Sequence, residues 1–243
     1  MQTVQSATVS EIAAQSLSAV RVFESLGIDY CCGGKRPLDE VCRQKGLDSK
    51  AVQQQLEAAA RGRESTDRDW TTAPLREMIA HIVKTHHDYL RREFKPLTER
   101  LAKVYRVYNE RYGETLTGLP EVFGRLRAEL EMHMAKEERL LFPAIEAAEF
   151  AVETGSPLPA RPFGTVGNPI RMMEAEHEDA GHDLSEIRRI TNDFAVPDYA
   201  CVTYRALMSG LAELEQDLHL HIHLENNILF PRAIELEHST KGF

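Results

Sequence analysis

Four long stretches of the chain, roughly 74–112, 120–149, 169–192 and 198–236, carry apolar residues at steps of three and four. That spacing is the one-sided stripe of an amphipathic α-helix. Four such stripes joined by short connections bury one another as an antiparallel bundle. The breaks are a Gly113-Glu114-Thr115-Leu116-Thr117-Gly118-Leu119 turn, a Gly/Pro-rich loop around 154–168 and a short break containing Pro197. No useful run alternates apolar and polar residues as a strand would. The expected fold class is all-α, with a four-helix up-down bundle over 74–243.

What interrupts the stripes points to chemistry. The first reads Ile79, Val83, His87, Leu90, Phe94, Leu97 and Leu101, and the second Leu126, Leu130, His133, Glu137 and Leu140. The third reads Ile170, Met173, His177, Ala180, Leu184 and Ile187, and the fourth Leu207, Leu211, Leu214, Leu218, His221, Glu225 and Ile228. Each seam carries one histidine, and two carry a glutamate one turn later. The remaining histidines fail the same test. His86 lies about 100° off the seam; His219 and His223 share a face with Glu215 and Asn226, and His182 with Glu186 and Arg189.

A repeat reinforces the pattern. His133-x3-Glu137-x4-Phe142-Pro143 is matched by His221-x3-Glu225-x4-Phe230-Pro231, at one height in two helices that run parallel in an up-down bundle. Four imidazoles and two carboxylates inside one core are costly to bury without a compensating charge. Two divalent metals supply it, because carboxylates bridge cations roughly 3.5–4 Å apart in two-metal sites. The lack of cysteine in the cluster disfavours structural zinc and Fe–S clusters; imidazole with carboxylate suits iron, manganese or zinc.

Ahead of the bundle, Thr8 and Glu11 are spaced as a capping box for a helix reaching Gly27. A loop follows, Asp29-Tyr30-Cys31-Cys32-Gly33-Gly34, then a short helix from Pro37 to near Gly46 and another capped by Asp48 or Ser49 that runs to Gly62. This gives a small helical N-terminal domain, 1–62, and a charged linker, 63–73. About 60 residues make a marginal core, so the unit is expected to pack on something larger. The 29 Lys and Arg against 38 Asp and Glu leave a charge of −9, which disfavours nucleic acid and anionic membrane surfaces. No membrane span or signal peptide is visible. Adjacent Cys31 and Cys32 make a poor disulfide framework, so a reducing cytoplasm is expected, with Cys42 and Cys201 acting as small core residues.

Nearly the whole chain resembles the iron–sulfur cluster repair di-iron proteins, the Repair of Iron Centers family. The resemblance rests on Asp29-Tyr30-Cys31-Cys32-Gly33-Gly34-Lys35, His133-Met134-Ala135-Lys136-Glu137-Glu138, Met173-Glu174-Ala175-Glu176-His177 and the run His221–Arg232. It implies a hemerythrin-like bundle holding two non-haem iron ions, oxo- or hydroxo-bridged when oxidised. The ligands carried over are His87, His133, His177 and His221, with Glu137 and Glu225 bridging. Near Tyr108 some relatives carry a further histidine. Oxygen-carrying hemerythrins use a His-x3-His pair that is absent here, because Gly181 stands four residues after His177.

The implied function is repair of iron–sulfur clusters damaged by nitric oxide or oxidants, through iron donation to damaged or apo iron–sulfur proteins. The alternatives are a nitric oxide reductase forming nitrous oxide, and a scavenger or sensor binding nitric oxide or oxygen. A homodimer is admitted. Cys31 and Cys32, in a loop expected to be flexible and accessible, with Lys35 and Arg36 favouring thiolate, would pass iron along, react with nitric oxide or supply electrons.

Overall fold

The N-terminal helices begin where their caps dictate. A computed structural model describes residues 7–31, 33–61, 68–112 and 116–240. Thr8 and Glu11 close the capping box at the start of α1 (Val9–Ala14), with Glu11 N–H donating to Thr8 Oγ1 at 3.2 Å and Thr8 N–H to Glu11 Oε2 at 2.8 Å. The helix expected to continue to Gly27 instead breaks. Ser16 turns extended and caps α2 (Leu17–Ser25) by accepting from Ser18 N–H, because a serine offers the backbone a local alternative to helix. Helix α3 (Leu38–Lys45) starts after Pro37 and stops at Gly46, whose φ of +67° suits glycine. Asp48 caps α4 (Ser49–Arg61) through Lys50 N–H at 3.0 Å.

Three of the four long stripes are not single α-helices. The first comprises α5 (Leu75–Ile82), a π turn at Val83–His87 and α6 (Asp88–Tyr112). The second comprises α7 (Leu119–Lys136), a π turn at Glu137–Leu141 and α8 (Phe142–Thr154). The third is the unbroken α9 (Gly167–Ile190). The fourth comprises α10 (Val202–Leu224), a π turn at Glu225–Leu229 and α11 (Phe230–Thr240). Among the described residues no strand forms beyond an isolated Thr8–Pro37 bridge, and no helix is long and apolar enough to cross a membrane.

The chain divides into two compact units. One comprises His81–Ala144 and Ala160–Leu218. Its pairings give the helix directions: Thr98 meets Arg127 while Arg91 meets Glu138, so α6 and α7 are antiparallel. Arg125 meets Asp183 while Lys136 meets Glu176, so α7 and α9 are antiparallel too. His86 meets Asp217, and a Cβ on Gly210 would lie 2.7 Å from Leu97, which closes the up-down ring. Leu90, Phe94, Leu126, Leu130, Leu184, Leu211 and Leu218 fill its centre.

The other unit comprises Met1–Ala80, Ile145–Pro159 and His219–Phe243. Val9, Phe23, Tyr30, Leu38, Cys42 and Val52 share one core with Ile222. Glu149, buried in α8, accepts from the backbone N–H of Leu75 (2.6 Å) and Arg76 (3.0 Å) and so caps α5. Arg232 donates to the carbonyls of Trp70 and Ala73, each at 2.7 Å. The 63–73 stretch read as a linker therefore has its last residues fastened; 63–67 lie outside the described residues, as does Cys32.

Candidate metal centre

The π turns stand where the chemistry-bearing residues are. His87 ends the first, and Glu137 and Glu225 open the second and third. Each turn closes on a backbone bond reaching five residues back: Asp88 N–H to Val83 O, Phe142 N–H to Glu137 O and Phe230 N–H to Glu225 O. Pro143 and Pro231 follow the second and third, each after one phenylalanine. A proline has no N–H and its ring strikes the carbonyl four residues back, and the wider turn relieves both. Tyr89 occupies the matching position after the first turn, so proline assists the π turn without being required.

The extra residue shifts the register. The stripe expected through Leu140 instead runs through Leu141, 1% exposed, while Leu140 is 52% exposed. The seam steps by four after Glu137 because the π turn holds more residues than an α turn.

All six seam residues are buried to 2% exposure or less. Glu137 Oε2 lies 3.4 Å from His87 Nε2 and 3.3 Å from His133 Nε2. His133 Nε2 and His177 Nε2 are 3.0 Å apart, and His221 Nε2 is 3.0 Å from Glu225 Oε1. Ligand atoms of His87, Glu137, His221 and Glu225 lie within 4.8 Å of one another, as do those of His133, Glu137, His177 and Glu225. Both glutamates belong to both groups. Two imidazole nitrogens at 3.0 Å either share one proton or direct two lone pairs at one cation. The donor set, all imidazole and carboxylate, fits a divalent metal in each group.

The outer faces of the rings support that fit. His87 Nδ1 is 2.6 Å from Glu138 Oε1, and His133 Nδ1 is 2.9 Å from Glu176 Oε2. A carboxylate on Nδ1 places the proton there and leaves Nε2 as an inward donor, the usual outer support of a metal-bound histidine. A hydrogen bond from His133 holds the Glu176 carboxyl down to about 2, with Lys136 adding to it against an opposing effect of burial. Burial alone would raise Glu138, yet hydrogen bonds from His87 and Arg91 outweigh it and keep its carboxyl below the ordinary range.

Several expectations are corrected. Glu176 lies in the charged Glu174–Asp179 run, where nothing in the helical spacing marks it, and only the folded antiparallel pairing with His133 reveals its role. The His219/His223 face is not solvent-facing as a whole. His223 is buried against Tyr30, ring centroids 5.4 Å apart, and burial lowers its imidazole to about 4. Glu215 is buried too, paired with Arg188 at 3.0 Å. His86 is buried but bonds Asp217 at 2.9 Å and belongs to neither metal group. Tyr108 accepts from Cys201 N–H at 2.7 Å within a cluster of Tyr199 and Tyr204.

Cys31 is not accessible: it is 6% exposed. Its Sγ donates to Asp29 Oδ1 at 3.4 Å, which sets an anion against the sulfur. Cys42 is buried, whereas Cys201, expected in the core, is exposed ahead of α10 with its thiol lowered by hydrogen bonding to Tyr108 first. The break after Pro197 leaves it outside the bundle's seam.

Residues 78–233 match the hemerythrin HHE cation binding domain, and residues 5–60 match ScdA_N, a domain of unknown function. The iron-sulfur cluster repair protein YtfE of Dickeya chrysanthemi is 39% identical over 95% of this chain and 97% of its own length. The chain belongs to the iron-sulfur cluster repair protein family. The proteins of the same name from Pectobacterium atrosepticum and Escherichia coli are 39% and 36% identical, covering 95% and 93% of this chain and 97% and 96% of theirs. The described His/Glu clusters thus lie inside the matched cation-binding domain of a repair-family member.

Proposed function

We propose that the chain holds two iron ions through His87, His133, His177 and His221, with Glu137 and Glu225 bridging, and restores damaged iron–sulfur proteins by releasing iron to them. One observation carries the reading: two buried ligand groups share both of their carboxylates. When bound, iron would supply a cation that balances the buried carboxylates and positions open to a small ligand. Glu138 and Glu176 hold two of the imidazoles by their outer nitrogens, so that the inner nitrogens stay unprotonated. Nitrogen and oxygen donors hold ferrous iron less tightly than thiolates do, and protons compete for them, which suits a donor.

The family match supports the client class, and the two matched segments support a division into an N-terminal domain (1–62), a linker (63–73) and the bundle (74–243). The free thiols of Cys42 and Cys201 fit a cytoplasmic setting. The test is transfer: anaerobically loaded protein is mixed with an apo iron–sulfur enzyme and sulfide. Recovery of that enzyme with matching iron loss from this protein is expected. Recovery no better than with free iron, or nitrous oxide production with iron retained, would overturn donation in favour of a gas-handling role.

A further inference from the structure

The third π turn carries a contact that reaches away from the ligands. Asn227, two residues after Glu225, places its Nδ2 3.3 Å from Tyr30 O, 3.3 Å from Cys31 O and 3.0 Å from His223 Nδ1. Its two N–H groups thus serve the backbone of the cysteine loop and a buried imidazole that accepts one of them.

The loop so held has little freedom. Asp29 accepts from Cys31 N–H at 3.0 Å and from Gly33 N–H at 2.9 Å. A Cβ on Gly34 would lie 2.5 Å from Tyr30 O, so only glycine permits the close fold-back. Tyr30, 1% exposed, stacks on Phe23, meets the His223 ring edge-on and donates its hydroxyl to Glu24 at 2.9 Å. Exposing the Cys31 thiol therefore means lifting the loop, and lifting the loop breaks both Asn227 bonds to it.

We infer that Asn227 is a positioning residue that couples the Cys31 loop to the Glu225 carboxylate. Asn227 and Glu225 share one five-residue π turn, a local departure from the α-helix that is frequent at functional sites, so a change at one end of the turn bears on the other. With the loop seated, Asn227 is anchored and the turn presents Glu225 to the metal group. With the loop lifted, the anchor is lost and the turn is released. The inference rests on the proposed metal site. Its thermodynamic form is reciprocal: whatever factor metal binding adds to loop closure, loop closure adds to metal binding.

The experiment labels full-length protein with iodoacetamide, without oxygen, and reads Cys31 alone by peptide fragmentation. Ferrous-loaded and chelator-stripped samples are compared, with iron content assayed on each. Cys31 should label about tenfold more slowly when loaded, a factor ordinary for coupled sites. Asn227→Asp, matched in shape but unable to donate to two carbonyls, should label at the fast rate in both states. It should also yield ferrous iron to excess chelator about tenfold faster than the wild type. Wild-type labelling equal in the two states overturns the coupling while leaving the metal site standing. A wild type that takes up no metal overturns the proposed function and the coupling together.

Discussion

The two His-x3-Glu-x4-Phe-Pro units have the same backbone and different surroundings. In both, a π turn opens on the glutamate and is followed by Phe-Pro. Beyond that they diverge. After Glu137 comes Glu138, which takes His87 Nδ1 and Arg91, a charged outer layer that reaches the surface. After Glu225 come Asn226 and Asn227, and Asn227 bonds the cysteine loop and His223. One copy is braced by ions and the other by neutral amide contacts. The difference teaches that the repeated unit sets the inward-facing pair, while the one or two residues after each glutamate set what the turn bonds outside it.

Removing the shared feature has the largest effect. Glu137→Ala and Glu225→Ala should each bring bound iron below two equivalents after anaerobic reconstitution, measured by elemental analysis; two equivalents retained in either would end the claim that both carboxylates bridge. The register shift is next. Leu141→Ala should destabilise the protein by about 2–5 kcal/mol in chemical denaturation, and Leu140→Ala should stay within about 0.5 kcal/mol. Equal costs would deny the π turn its effect on the seam.

The outer layers come third. Glu138→Gln and Glu176→Gln should weaken metal affinity by about 10- to 100-fold in competition with a chromogenic chelator, with helical content unchanged by circular dichroism. An unchanged affinity would mean that the ionic brace is decorative. Smallest is Pro143→Ala set beside Pro231→Ala: because the first π turn forms before Tyr89 without proline, each change should stay within about 1 kcal/mol. A larger loss would show that proline enforces the turn.

Helical periodicity made the bundle and the six inward residues legible, because steps of three and four encode which side of a helix is buried, whatever the side chain. The same rule failed in the turn that opens on Glu137, where nothing in its arithmetic distinguishes a π turn from an α turn, and it selected Leu140 over Leu141. The Phe-Pro pair was the available sign, read as a register mark rather than as a cause. Glu138 and Glu176 escaped notice because an acid on a helix flank looks solvated until a neighbouring helix brings a histidine to it. His223 and Glu215 were misjudged for the opposite reason. Their polar face is covered, the first by Tyr30 and the N-terminal core and the second by Arg188, and no pattern within α10 announces what will lie over it. Ser16 was legible in principle, since it is a good cap, but the apolar spacing across it favoured one continuous helix.

Glu138 and Glu176 are each about 29% exposed, although the rings they hold are almost wholly enclosed. Their companions Arg91 and Lys136 are more open still or equally so, at 42% and 31%. The grip on the interior is therefore adjustable from the rim. Arg91 and Lys136 brace the carboxylates that hold these imidazoles without touching either ring's inner nitrogen, so the hold on the interior is set partly by side chains at the surface.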